Sequence, residues 1–178
     1  MSSTNAGEAT GLGILRDSLR FVVLRDLRSL DAQIAAYPDD DSLWQVVPGI
    51  SNSAGNLSLH LAGNLRHFIG SVLGETGYVR DRVSEFASKG LSRDHLRSEV
   101  RLAIEDVDIS LSTIDPRRLA EPFPTPIMER RVRTADFLVH LAAHLTYHLG
   151  QVDYHRRILT TEPATVENLS VLNLPLAD

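Results

Sequence analysis

The sequence predicts an all-α fold, a four-helix bundle. Four long stretches carry apolar residues at three- and four-residue spacing. No series of short alternating runs reads as strands, and proline, glycine or acidic clusters separate the stretches. With 178 residues, 43% of them hydrophobic, the chain is expected to form one domain over residues 1–178 with a substantial core.

The first helix is predicted from about Ile14 to Tyr37. Leu15, Leu19, Val22, Val23, Leu27, Leu30 and Ile34 form its buried face, and Pro38 with Asp39, Asp40 and Asp41 ends it. Residues 1–10 are small and polar. They read as flexible and lack the basic and apolar regions of a signal peptide. Leu43 to Ser53 is a connector in which Trp44 anchors the core.

The second helix is predicted over Ala54 to Leu73, capped by Ser53 and stopped at Gly74 and Gly77. Gly55, Gly63 and Gly70 lie inside it. Each weakens a helix by up to about 1 kcal/mol relative to alanine, so they imply close approach by another backbone or a ligand. Tyr78 to Gly90 is charged and reads as partly irregular. Ser92 caps the third helix, which ends near Asp115-Pro116 and buries Leu96, Val100, Ala103, Ile104, Val107, Leu111 and Ile114.

Pro116 to Arg133, with Pro122, Pro124 and Pro126, is a long crossover, mostly loop. Thr134 is predicted to cap the fourth helix, from about Ala135 to Leu159, with Pro163 beyond its end. Val166, Leu169, Val171, Leu174 and Leu176 give residues 161–178 the character of an extended C-terminal arm that packs back on the bundle.

Composition removes several function classes. Lys plus Arg is 18 and Asp plus Glu is 23, a net charge of −5, so nothing drives the chain onto nucleic acid or an anionic membrane. No apolar run approaches the roughly 20 residues of a membrane helix. Without cysteine there is no disulfide, thiolate ligand or cysteine nucleophile, and a cytoplasmic location is expected.

The seven histidines all fall between His60 and His155. At about 100° per residue, His140, His144, His148, Gln151 and His155 share one narrow stripe of the fourth helix. It flanks the stripe of Leu138, Leu141, Leu145, Leu149 and Val152, with Thr146 and Asp153 expected on the solvent side. The second helix repeats the pattern: Asn56, His60, Asn64 and His67 lie beside Leu57, Leu61, Leu65, Phe68 and Val72. Two such polar stripes can face each other across a common cleft. A bound metal or a hydrogen-bonded pocket would offset the cost of burying their imidazoles.

His144 and His148, one turn apart, can reach one ion, and His60 is the matching third ligand. Three imidazoles leave positions open for water or substrate, the pattern of a catalytic site. They suit zinc, nickel, iron or copper. Asn64, His67 and Gln151 are expected to line the cleft. Asn64 and Gln151 either hydrogen-bond a ligand or form a buried amide pair. His140 and His155 read as hydrogen-bonded helix-edge residues, a reading equally open for His67, and His95 as a surface residue. Arg80, Arg82, Arg156 and Arg157 read as solvated or ion-paired surface groups. The residues between His144 and His148 are Leu145, Thr146 and Tyr147, so the glutamate base of an HExxH protease is missing. Gly-rich phosphate loops, GxSxG elbows and the Glu-x-x-His pairs of di-iron bundles are also lacking.

These residues resemble the DinB/YfiT-like superfamily of metal-dependent four-helix-bundle proteins, and within it a bacterial subgroup of unassigned function. The resemblance runs from Leu43-Trp44 through Ser51 to Leu57, His60 to Gly70, Tyr78 to Arg82 and Glu85-Phe86. It ends in His144-x-x-x-His148-x-Gly150-Gln151 and Tyr154 to Arg157. It implies a DinB-like bundle, often a homodimer, and a divalent metal, zinc or nickel, on His60, His144 and His148. It further implies an enzyme that uses a low-molecular-weight thiol cosubstrate in transfer to a small-molecule substrate. The alternative is a non-catalytic, stress-related bundle that binds a metal or a small ligand.

Overall fold

The computed structural model describes residues 2–161, 166, 174 and 175, without the side chains of residues 2–6 and 8. It is all-α: α1 is Ser2–Ala35, α2 Ala54–Leu65, α3 Arg82–Ala87, α4 Arg93–Thr113 and α5 Thr134–Thr160. A π-helical segment, Arg66–Leu73, continues α2, and 3-10 turns occupy Ser42–Trp44 and Pro116–Ala120. The long helices neighbour one another in the cyclic order α1, α4, α2, α5, and α3 lies against α2. Among the described residues no helix is long and apolar enough to cross a membrane.

The predicted apolar faces meet in the core. Leu27, Leu30 and Ile34 from α1, Leu61 and Leu65 from α2, Leu96, Val100 and Val107 from α4, and Leu145 and Val152 from α5 are all buried. Truncating one such leucine to alanine typically costs about 2–5 kcal/mol. Ser53 caps α2 through the Asn56 amide, and Ser92 caps α4 through the His95 amide.

Several boundaries differ from the sequence reading. α1 starts at Ser2 rather than near Ile14, because extending a helix already fixed by packing needs no new nucleus. Thr134 is not a cap but the first residue of α5. Its amide donates to the Glu121 carbonyl at 2.9 Å, because the crossover folds back on itself through bridges at Pro122–Arg133 and Ile127–Arg130. The stretch Tyr78 to Gly90 holds a helix, α3, capped by Asp81. Thr146 and Asp153 face α1, not solvent: Thr146 donates to the buried Asp26 carboxylate at 2.5 Å, and Asp153 accepts from Gln33 at 2.9 Å. Arg156 is fully buried and donates to the Gln33 amide oxygen at 2.7 Å.

Most of the predicted C-terminal arm, and Pro163, lie outside the described residues. At Val166 the backbone carbonyl accepts from Gln33 at 3.1 Å.

The helical glycines mark close approaches. Gly55 faces the Trp44 ring, where an added Cβ would sit 2.8 Å from ring carbons. A Cβ on Gly70 would come within 3.0 Å of the Asp106 Cβ, and one on Gly74 would overlap Ser110. The wider turn of the π-helical segment brings Gly70 and Gly74 onto α4 together. Gly150, in α5, has open space around it. Gly74→Ala is therefore expected to destabilise the protein by about 1–3 kcal/mol. Gly150→Ala should stabilise it by up to about 1 kcal/mol. Urea denaturation midpoints of the two variants check both signs.

Candidate metal centre

The seam between α2 and α5 brings the polar stripes together. His60 projects from the middle of α2, and His144 and His148 from successive turns of α5. One nitrogen from each lies within 4.8 Å of the others, so the group can hold a metal ion. The Nε2 atoms of His60 and His144 are 3.3 Å apart. Two nitrogens at zinc-type bond lengths and tetrahedral angles are separated by about 3.3 Å, so this spacing fits a shared ion. The donor set, three imidazoles, also suits a borderline divalent metal.

Hydrogen bonds assign the available nitrogen in two of the rings, His60 and His148. His60 Nδ1 lies 3.0 Å from Glu85 Oε2, so Nδ1–H donates to the carboxylate and Nε2 keeps its lone pair. His148 Nδ1 lies 2.7 Å from Gln151 Oε1, which likewise makes Nδ1 the donor and frees Nε2. Partners of this kind would orient the two rings and strengthen them as ligands if an ion were held here.

Glu85 is in turn held by Arg80, whose Nε and Nη2 donate to its two oxygens at 2.6 and 2.8 Å. Burial pushes the Glu85 carboxyl up, but hydrogen bonds from Arg80 and His60 and the Arg80 charge outweigh it and hold it below its usual range. It stays an anion beside His60.

Three features place that carboxylate. Asn56 Nδ2 donates to the Glu85 and Ser88 carbonyls at 3.1 and 3.0 Å, binding α3 to the first turn of α2. Gly63 leaves room for the Glu85 carboxylate, which would overlap a Cβ there. Phe86 covers His60, with ring centroids 4.9 Å apart.

His67 is half-buried near Arg80 and Glu85, and burial lowers its basicity before the Arg80 charge adds to the effect. It lies outside the metal-capable group. Asn64 is buried one turn beyond His60, and its Oδ1 has no hydrogen-bond partner among the described residues. Gln151 is exposed and bonds His148, so Asn64 and Gln151 do not form an amide pair. His140 is exposed and stacks between Phe137 and His144.

His155 is a core residue. Its Nε2 donates to the Gln45 carbonyl at 2.9 Å, and its Nδ1 accepts from the Tyr37 hydroxyl at 2.7 Å. Glu85, Arg80, Phe86 and Asn56 complete the site; the sequence reading placed Asn56 only on the polar stripe of the second helix, made Arg80 a surface group and gave Glu85 and Phe86 no role there. An acidic residue inside a charged stretch of unclear structure gives no signal of its burial.

No protein-family model, curated protein or solved structure matches the chain.

His144 is pushed down from its ordinary value of 6.5 to about 4, first by burial and then by the charges of His148, His60, His140 and Arg80. Burial also lowers His155. Between the folded and unfolded values the unfolded chain binds more protons, so stability rises with pH there. The metal-free protein is thus expected to be fully stabilised above about pH 6.5 and to lose stability as the pH falls toward 4. His144→Gln should flatten that slope. Chemical denaturation of metal-free protein across the interval checks it.

Proposed function

We propose that the chain is a divalent-metal-dependent enzyme of the DinB-like superfamily, a four-helix bundle acting in the cytoplasm. In this reading His60, His144 and His148 hold zinc or nickel. One observation carries it: three imidazoles from two helices converge, with the Nε2 atoms of His60 and His144 3.3 Å apart. The Glu85 carboxylate and the Gln151 amide turn His60 and His148 toward the same point.

Three protein ligands leave positions free for an exogenous group, which favours catalysis over a closed structural site. The position of His67 outside the group supports the same reading. A metal bound here would supply Lewis acidity and would lower the pKa of a thiol or water beside it. A thiol cosubstrate and transfer to a small electrophile follow from the family resemblance, as does a homodimer.

The chain's own residues perform definite tasks. Glu85 keeps the proton on His60 Nδ1, and Gln151 keeps the one on His148 Nδ1, so neither ring can offer the wrong nitrogen. Arg80 keeps Glu85 ionised. Phe86 and α3 restrict water on the His60 side.

Elemental mass spectrometry of untagged protein, purified without added metal or chelator, is expected to find near one equivalent of zinc or nickel per chain. His144→Ala should abolish tight binding while leaving the helical circular dichroism largely intact. Metal content unchanged in that variant would remove the site. Glu85→Gln should weaken metal affinity by about 10–100-fold, the usual effect of losing an outer-shell partner. Gly63→Ala should shift it the same way, because the added Cβ overlaps the Glu85 carboxylate. Competition with a chromophoric chelator measures all three.

A further inference from the structure

Beside the histidine group, between residues 47–52 of the connector and the later turns of α5, lies a cavity of about 440 Å³. This is within the range of roughly 300–1,000 Å³ typical of small-molecule sites. His148 belongs both to the histidine group and to the cavity wall, so the two are continuous. Ile50, Tyr154 and Ile158 supply apolar wall, although each is an exposed side chain. Exposed apolar groups gathered around a concavity mark a binding surface.

The lining has a definite charge character. Among the described residues that form it there is no Asp, Glu, Lys or Arg. Its two imidazoles are committed, His155 to Tyr37 and Gln45 and His148 Nδ1 to Gln151. The neighbouring guanidinium groups are paired elsewhere. Arg80 is engaged by Glu85 on the Nδ1 side of His60, and Arg157, over the Tyr154 ring, pairs with Asp153 at 2.9 Å. With its oxygen on His148, Gln151 retains its amide N–H groups as donors beside the histidine group.

An ionised ligand seated in the metal-free cavity would give up water and find no opposite charge among the described lining residues. An uncharged one would bury apolar surface on Ile50, Tyr154 and Ile158 and lose nothing comparable. We propose that this cavity binds an uncharged small molecule with an apolar body, seated on these three residues, and a polar end turned toward Gln151 and His148. Only the anchoring of that polar end rests on the metal reading; the discrimination against charge does not.

The test uses an isosteric pair, para-(mercaptomethyl)benzamide and para-(mercaptomethyl)benzoate, titrated calorimetrically into the full chain, metal-loaded and metal-free. The benzamide is expected to bind at least about tenfold more tightly than the benzoate to the metal-free chain, and bound metal, a cation beside the cavity, should narrow that ratio. Ile158 is 60% exposed, so Ile158→Lys is accommodated without repacking, and a cation suits the last turns of a helix. It should weaken the benzamide, strengthen the benzoate and reduce their affinity ratio at least about tenfold.

Equal affinities in the unmodified metal-free protein, or a ratio unchanged there by Ile158→Lys, would overturn the proposal. Binding that needs metal and ignores Ile158 would overturn it and leave the metal reading intact. A chain that takes up no metal, yet keeps both the benzamide preference and the Ile158→Lys response, would support the cavity and reject the metal reading. Loss of a dimer in Ile158→Lys on sedimentation, with an unchanged ratio, would make this face a subunit contact and also overturn the proposal.

Discussion

The position of the Glu85 carboxylate governs the α2–α5 seam. It is almost fully buried, and a buried anion is tolerated only when paired and hydrogen-bonded. Arg80 meets it with two donors and His60 with a third. The arrangement fixes the His60 tautomer, aims its Nε2 across the seam and anchors α3, a helix of six residues that could not persist on its own. Removing Arg80 or Glu85 would leave the other's charge without its partner, and removing Glu85 would also free the His60 Nδ1–H, so the three side chains are coupled.

That unit depends on what α2 omits. Along this helix glycine recurs wherever a neighbour must come close: the Trp44 ring at Gly55, the Glu85 carboxylate at Gly63, and α4 at Gly70 and Gly74. Each glycine weakens the helix locally, and tertiary contact compensates. Arg66 shows the compensation, bonding Asp106 and Glu99 on α4 at 3.0 and 2.8 Å with its guanidinium over the Tyr78 ring. The same glycines let a histidine-bearing helix approach α4 and α3 while its histidine stripe faces α5.

The histidine group was legible in the sequence because it depends on two periodic elements. His144 and His148 are one turn apart on any α-helix, and the matching stripe around His60 needed only a helix with the bounds Ala54 to Leu73, which the caps and glycines supplied. Outside the periodic segments legibility fails for physical reasons. Glu85 sits in a helix too short to carry a pattern and held by contacts remote in sequence. Thr146, Asp153 and Arg156 look like a solvent face because they are polar. Instead α1 presents Asp26 and Gln33 to them, which leaves Thr146 and Asp153 half-buried and Arg156 fully buried, and hydrogen bonding across that contact offsets the preference of such groups for water. Thr134 has the chemistry of a cap, but the folded-back crossover satisfies its amide first.

The site is also electrically one-sided, which bears on how it can work. On the side of His60, a charged pair and the Phe86 ring close off the imidazole. On the side of His148, the neighbours are an amide, tyrosines and aliphatic groups around a cavity. Under the proposed function, a reacting molecule would meet the histidine group from the side of this cavity, where among the described residues no charged side chain lines the wall. Charge on the far side is spent on holding ligands in place, and neutrality on the near side leaves selection to shape and apolar contact. Moving the Arg80–Glu85 pair to the cavity side would exchange these roles. His60 would lose the partner that fixes its tautomer, and the cavity would gain a fixed charge that its described lining lacks.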